Sequence, residues 1–165
     1  AGVGRPDRAC RSGALPPCPD LSVPMQTIDL PTLRSFFQAS PFMVDLGVEP
    51  VGVSPGRVET ELVLAPRHRQ HTGVVHAGVL ASLADHTMGA AAQTLAPAGH
   101  WILTAELKTS LLRGADGEKL VCSAQVIKPG RRISFTEAEV HVVRGSERVL
   151  VMKASATMAV AEGKS

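Results

Sequence analysis

Asp85 is the single carboxylate in "RQHTGVVHAGVLASLADHTMGAA", residues 69–91. A carboxylate beside a segment of histidines and glycines has three chemical uses: general base, nucleophile or metal ligand. Spacing the residues 100° apart from Gly78 sets Val79, Leu80, Leu83, Thr87, Ala90, Ala91 and Thr94 within an arc of about 120°, which is a core stripe. Gly78, Ser82, Asp85 and Gly89 fall within about 60° of one another on the other side. No Lys, Arg or Glu occurs between His76 and Leu95. A solvated face would carry such residues, so this helix is expected to be buried on most sides. Ala84, Gly89, Ala90, Ala91 and Ala92 would admit other backbone closely. An unpartnered carboxylate there is costly. Burial raises a carboxylate pKa, which suits a base or nucleophile near neutral pH. Periodicity leaves two readings open: chemistry, or a plain hydrogen bond to neighbouring backbone.

The segment "GVVHAG" ends a loop and opens the helix. The first N–H groups of a helix lack internal partners and lie at the positive end of its dipole. With the small residues Ala77 and Gly78 there, a substrate oxygen can approach, which makes an oxyanion site; an ordinary helix entry is the alternative. His68, His71, His76, His86 and His100 raise the question of a metal. No HExxH spacing occurs, His76 and His86 point about 80° apart, and no cysteine or second carboxylate completes a set, so no metal site and no cofactor is expected. Cys122 lies mid-strand and reads as core rather than nucleophile.

These residues need elements to hold them. Asp29 is a plausible N-cap for a short helix, "IDLPTLRSFFQAS", with Leu33, Phe36 and Phe37 at helical spacing. "GVEPVGVSPGRVETELVLAP" reads as a hairpin turning at Ser54-Pro55-Gly56, with Val58, Thr60, Leu62 and Leu64 alternating against Arg57, Glu59 and Glu61. After the 69–75 loop and a helix of about 20 residues come four strand-like runs. "WILTAELKTSLL" places Trp101, Leu103, Ala105, Leu107 and Thr109 on one face. "KLVCSAQVIK" closes at Pro129-Gly130. "RISFTEAEVHVV" slips its alternation between Phe135 and Ala138, suggesting a bulge. "RVLVMKASATMAV" follows the Gly145-Ser146 turn. Strands joined by short turns form antiparallel meanders. One long central helix against a mostly antiparallel sheet, preceded by a short N-terminal helix, is an α+β architecture.

The 165 residues suit one domain, taken as 25–165. Residues 1–24, rich in Pro, Gly and Arg, are expected to form a weakly ordered extension without the apolar run of a signal peptide, and Met25 is a candidate natural start. The net charge of +2 is spread evenly, and aromatic residues make up 3% with no Tyr. That argues against a nucleic-acid surface of basic blocks and stacking rings. No apolar run approaches a membrane span. Three irregularly spaced cysteines do not form a disulfide framework, which points to a reducing, cytoplasmic setting.

The run Gln70–Asp85, "QHTGVVHAGVLASLAD", resembles the signature of the hotdog-fold acyl-CoA thioesterases, in particular the PaaI-like group of phenylacetic acid degradation. Their pattern is Asn or Gln, then His-Gly-Gly, then Leu-Ala-Asp. The likeness covers about residues 40–160, where two strands, a long helix and four strands match that fold in order. It implies that Asp85 is the catalytic carboxylate, that the Ala77 N–H polarises the thioester carbonyl, and that Gln70 orients substrate or water. His-Ala-Gly here replaces His-Gly-Gly. The resemblance also implies a homodimer or homotetramer with active sites shared between subunits, and it sets "KPGRR" (Lys128, Arg131, Arg132) near the CoA phosphates; a solvated turn is the alternative.

The expected function is hydrolysis of an acyl-CoA ester, aryl or medium-chain, to free acid and CoA. His76 and Gly78 sit beside the oxyanion site, and Ser82 lines the substrate face. Asp85 either attacks the carbonyl or activates water. Two rivals are a hydratase or dehydratase using His76 with Asp85, and a non-catalytic acyl-CoA-binding module.

Overall fold

The computed structural model describes residues 28–162. The anticipated extension, residues 1–24, lies outside the described residues. Helix α1 spans Leu30–Gln38. Asp29 Oδ1 accepts the Thr32 N–H at 2.9 Å, as expected of the cap, and the helix buries Leu33 and Phe37. A second short helix, α2 (Pro41–Leu46), was not anticipated from sequence. Six residues are too few to show a helical period; its signals are Pro41 in the first turn and Gly47 closing it at φ +81°.

Strands β1 (Val48–Ser54) and β2 (Arg57–Val63) form the anticipated hairpin. Gly56 turns it at φ +73°, a conformation that favours glycine. A 3-10 turn at Pro66–His68 leads into the loop before helix α3, Ala77–Gln93. The remaining strands are β3 (His100–Leu111), β4 (Lys119–Lys128), β5 (Ile133–Arg144) and β6 (Glu147–Glu162). All pairings are antiparallel, in the order β1-β2-β4-β5-β6-β3.

Helix α3 lies against one face of the six-stranded sheet. Leu80, Leu83, Ala84, Thr87, Met88 and Ala91 are buried there with Leu62, Leu120, Val140, Met152 and Met158 of the strands. The anticipated stripe is therefore the core, except that Val79 stays half-buried while Ala84, Met88 and Ala92 widen it.

Two strand readings need correction. Strand β3 does not keep Trp101, Leu103, Leu107 and Thr109 on one face. Its pairing with β6 skips Ala105, so Thr104 sits opposite buried Met158 and Leu107 opposite buried Ala156. Leu103 and Leu107 thus face opposite sides. Strand β5, by contrast, alternates without a slip from Ser134 to Val142. Its neighbours carry the irregularities, at Ile127 of β4 and Val151 of β6. The apparent slip arose because β5 turns Ser134 and Thr136 inward and leaves Phe135 outside.

Candidate active site

Asp85 sits midway along α3, half-buried, on the side away from the core stripe. Thr104 of β3 donates its hydroxyl to Asp85 Oδ1 at 2.7 Å. The same hydroxyl lies 3.5 Å from Met158 Sδ. The carboxylate thus has a side-chain partner rather than a backbone one, and its second oxygen makes no hydrogen bond among the described residues. Ser82 and Gly89, one turn either way, are also half-buried, and Gly78 is exposed. Sequence reasoning missed Thr104, because only the bulge at Ala105 reveals which face it occupies.

The start of α3 is built around His76, its N-cap. His76 Nδ1 accepts the Gly78 N–H at 2.9 Å, leaving the ring proton on Nε2. A Cβ at Gly78 would stand 3.0 Å from that nitrogen, so the cap requires glycine there. This changes the expected roles. The Gly78 N–H is already taken, whereas the exposed Ala77 N–H has no acceptor among the described residues. Ala77 alone supplies the oxyanion donor that the helix start offers.

The loop before α3 is clamped from outside. Arg69 donates to the Gly73 carbonyl at 2.6 Å, to Asp116 Oδ1 at 2.8 Å and to the Gly117 carbonyl at 3.2 Å. Arg144 reaches the other Asp116 oxygen at 3.1 Å. The Arg69 hydrogen bond, assisted by the Arg144 charge, holds the Asp116 carboxyl below its ordinary value. Within the loop, Gln70 N–H donates to the Val74 carbonyl at 2.9 Å and Gln70 Nε2 to Thr72 Oγ1 at 2.8 Å. No motif marked Arg69 or Asp116, which lie 47 residues apart.

Gln70, His76 and Ala77 therefore gather at one end of α3, while Asp85 is eight residues further on. At 1.5 Å per residue that is roughly 12 Å along the axis. His76 is further still, so no His76–Asp85 pair forms within the chain. Lys128, Arg131 and Arg132 are all exposed, at the other end of the helix. Val126, just before them, donates to the Gly56 carbonyl, and the Gly56 N–H donates to Thr94 beyond the end of α3. The turn lies level with Thr104: Thr104 pairs with Met158, and Met158 with Ser134.

Two other titratable groups are placed by the fold. His86, beside Asp85, is flanked by Phe36 at 5.8 Å (nearly parallel) and Phe37 at 4.5 Å (edge-on). Burial lowers its pKa, with the Asp85 charge opposing. Cys122 is buried, and desolvation pushes its thiol up to about 12 despite hydrogen bonds from Thr87 and Thr60, which fits the core reading. Among the described residues no three His, Cys, Asp or Glu side chains are grouped to hold a metal.

This architecture and motif have clear relatives. The Thioesterase superfamily model matches residues 72–148, which include His76, Asp85, Thr104 and the 128–132 turn. A thioesterase family protein from Silicibacter pomeroyi is 31% identical, with 79% of this chain and 96% of that one covered, at a TM-score of 0.77. The chain belongs to the thioesterase superfamily. Its fold is the hotdog fold, and its reaction class is thioester hydrolysis. A conserved Pseudomonas aeruginosa protein is 34% identical over 73% of this chain and 94% of that one, TM-score 0.67. The Escherichia coli PaaI protein of the phenylacetic acid degradation operon shares the fold at 18% identity, with 79% and 91% covered and a TM-score of 0.70. No curated protein matches the chain.

Proposed function

We propose that this thioesterase hydrolyses acyl-CoA esters, aryl or medium-chain, at active sites built jointly by two copies of the chain. The observation that carries this reading is the separation of Ala77 and Asp85. A thioester carbonyl needs its oxyanion donor and its base or nucleophile within about 3 Å of the reacting atoms. One helix cannot deliver both across roughly 12 Å. Two α3 helices packed antiparallel can, because the partner subunit's Ala77 then meets Asp85 when the helices cross near residue 81. Gly78, Ala81 and Ser82 are the side chains at that crossing, all small enough for close approach. Strand β3 adds support. It is an edge strand of 12 residues, with Trp101, Leu103 and Leu111 more than half exposed. Such an edge is a template for pairing with another chain.

In the proposed reaction the thioester oxygen accepts the Ala77 N–H as it gains charge. The free oxygen of Asp85 either takes a proton from the attacking water or adds to the carbonyl itself. The tetrahedral adduct collapses with loss of the CoA thiolate, and water completes the second route by hydrolysing the acyl-aspartate. Thr104 fixes the carboxylate so that one oxygen stays available. Gln70 orients substrate or water from the clamped loop, and Ser82 lies on the same helix face. Lys128, Arg131 and Arg132 meet the CoA phosphates as charged, forked or point donors. Cys122, a buried free thiol, supports a reducing, cytoplasmic setting.

The test is a hydrolysis screen over acyl-CoA esters with wild type and Asp85→Asn. Turnover of at least one ester by wild type, reduced ~100-fold or more in a folded Asp85→Asn, is expected. Equal turnover by both proteins removes Asp85 from the mechanism.

A further inference from the structure

Gly89 lies one turn beyond Asp85 on the same stripe of α3, and nothing inside the chain accounts for it. Glycine is the poorest helix former after proline. A Cβ at Gly89 would meet no atom within 4 Å, so packing does not exclude alanine. What glycine preserves is open space between α3 and β3.

That space has defined ends. On one side Asp85 is bonded to Thr104. Two turns along the helix from Asp85, Gln93 donates to the His100 carbonyl at 2.9 Å and accepts the Ile102 N–H at 3.1 Å. Gly89 sits between these two bridges. A row of rings spans from strand to helix beside it. Trp101 of β3 stacks on Phe36 of α1 at 6.3 Å and 22°, and Phe36 stacks on His86 of α3 at 5.8 Å and 20°. His86 is one turn before Gly89 on neighbouring positions of the helix surface. Burial disfavours the charged form of its ring, which suits an apolar wall.

We infer that the gap over Gly89, walled by the Trp101–Phe36–His86 stack, is the slot that receives the acyl group and sets its size. This rests on the thioesterase reading, since it takes Asp85 as the point where the carbonyl is held. An acyl group leaving that carbonyl along the helix passes over Gly89 and against Phe36, toward Gln93. The slot is apolar along its wall, so it takes an apolar acyl group larger than acetyl. It is distinct from the proposed helix crossing, because Gly89 is two turns beyond residue 81, or roughly 12 Å. The aromatic wall comes from α1, an element outside the α3–β3 framework that holds the carboxylate.

The experiment compares kcat/KM for phenylacetyl-CoA, octanoyl-CoA and acetyl-CoA in wild type, Gly89→Val and Phe36→Ala, with the oligomeric state of each measured by light scattering. One methylene's worth of misfit in an apolar pocket changes discrimination by about 10-fold or more. Gly89→Val is therefore expected to lower the ratio of the better large ester to acetyl-CoA by at least ~10-fold, with unchanged assembly. Phe36→Ala is expected to lower the same ratio, mainly through KM. Unchanged ratios in both variants overturn the slot. So does an equal loss on every ester with dissociation of the assembly, which would make Gly89 a helix-packing position. If wild type hydrolyses none of the esters, the acyl-CoA reading fails first and the slot with it; if wild type prefers acetyl-CoA, only the slot fails.

Discussion

Thr104 and Asp85 form a pair in which one hydroxyl restrains one carboxylate oxygen. A hydrogen bond to a charged group is worth about 1.5–3 kcal/mol, or roughly 10–100-fold in rate if it acts on the transition state. Thr104→Val is expected to lower kcat on that scale with little change in KM, and Thr104→Ser is expected to restore most of it. Steady-state kinetics on the three proteins checks this; a KM effect alone would place Thr104 in substrate binding. Cys122 supplies a second residue-scale expectation. With its thiol pushed up to about 12 and fully buried, it should resist alkylation in the folded protein and label on unfolding. Peptide mapping after iodoacetamide treatment separates it from Cys10 and Cys18. Asp85 was legible in the sequence because a helix lacking Lys, Arg and Glu makes one carboxylate conspicuous. Thr104 was not, because its face depends on one extra residue, Ala105, which periodicity cannot locate.

Helix α3 was readable because its 17 residues give the apolar period nearly five turns. Helix α2 has six residues and shows none. The loop between β2 and α3 was marked by Gln70 and His76, but what holds it was not. Arg69 reaches Asp116 across 47 residues, and only the fold brings them together. Both side chains are partly exposed, 31% and 54%, where such pairs contribute about 0–1 kcal/mol to stability. The clamp should therefore matter more to catalysis than to folding. Arg69→Met is expected to lower kcat/KM about 10-fold by loosening the loop that carries Gln70, while Tm moves by only a few degrees. Thermal melts and kinetics on one preparation test it. A large Tm loss with normal activity would make the clamp purely structural. The 128–132 turn offers a separate check: Arg131→Ala with Arg132→Ala should raise KM for a CoA ester far more than for a thioester lacking the nucleotide, and less so at high salt.

At the scale of the whole molecule, three partly buried histidines couple stability to pH. Burial lowers the pKa of His68, His86 and His141 below 6.5, with the Arg67 charge adding at His68 and the Arg148 charge at His141. The unfolded chain thus binds these protons more readily than the folded one. The stability involved is fully present above about pH 6.5 and is lost as pH falls below it. Asp116, whose folded value lies below 3.8, adds a loss only in stronger acid. Tm is therefore expected to start falling near pH 6.5 on acidification. A flat Tm down to pH 5 would contradict this.

Assembly belongs to the same scale. The sheet ends in two unlike edges. Strand β1 is interrupted by Pro50 and a bulge before Gly52, features that discourage pairing, whereas β3 is long and apolar in part. Pairing through the β3 side is what brings one chain's Ala77 to another's Asp85. The most direct measurement mixes two inactive variants. Asp85→Asn removes the carboxylate. Ala77→Pro removes the N–H at the first position of a helix, where proline fits the backbone and where His76, at ψ 137°, already has the extended conformation that precedes proline. Each variant alone should be inactive. In a mixed dimer, one site draws Asp85 from the Ala77→Pro chain and the Ala77 N–H from the Asp85→Asn chain, and is whole. After subunit exchange at equal amounts, hydrolysis should return to about a quarter of wild type, since half of the dimers are mixed and each has one intact site of two. Activity no higher than that of the separate variants, with mixed dimers shown to be present, would contradict a site shared between chains.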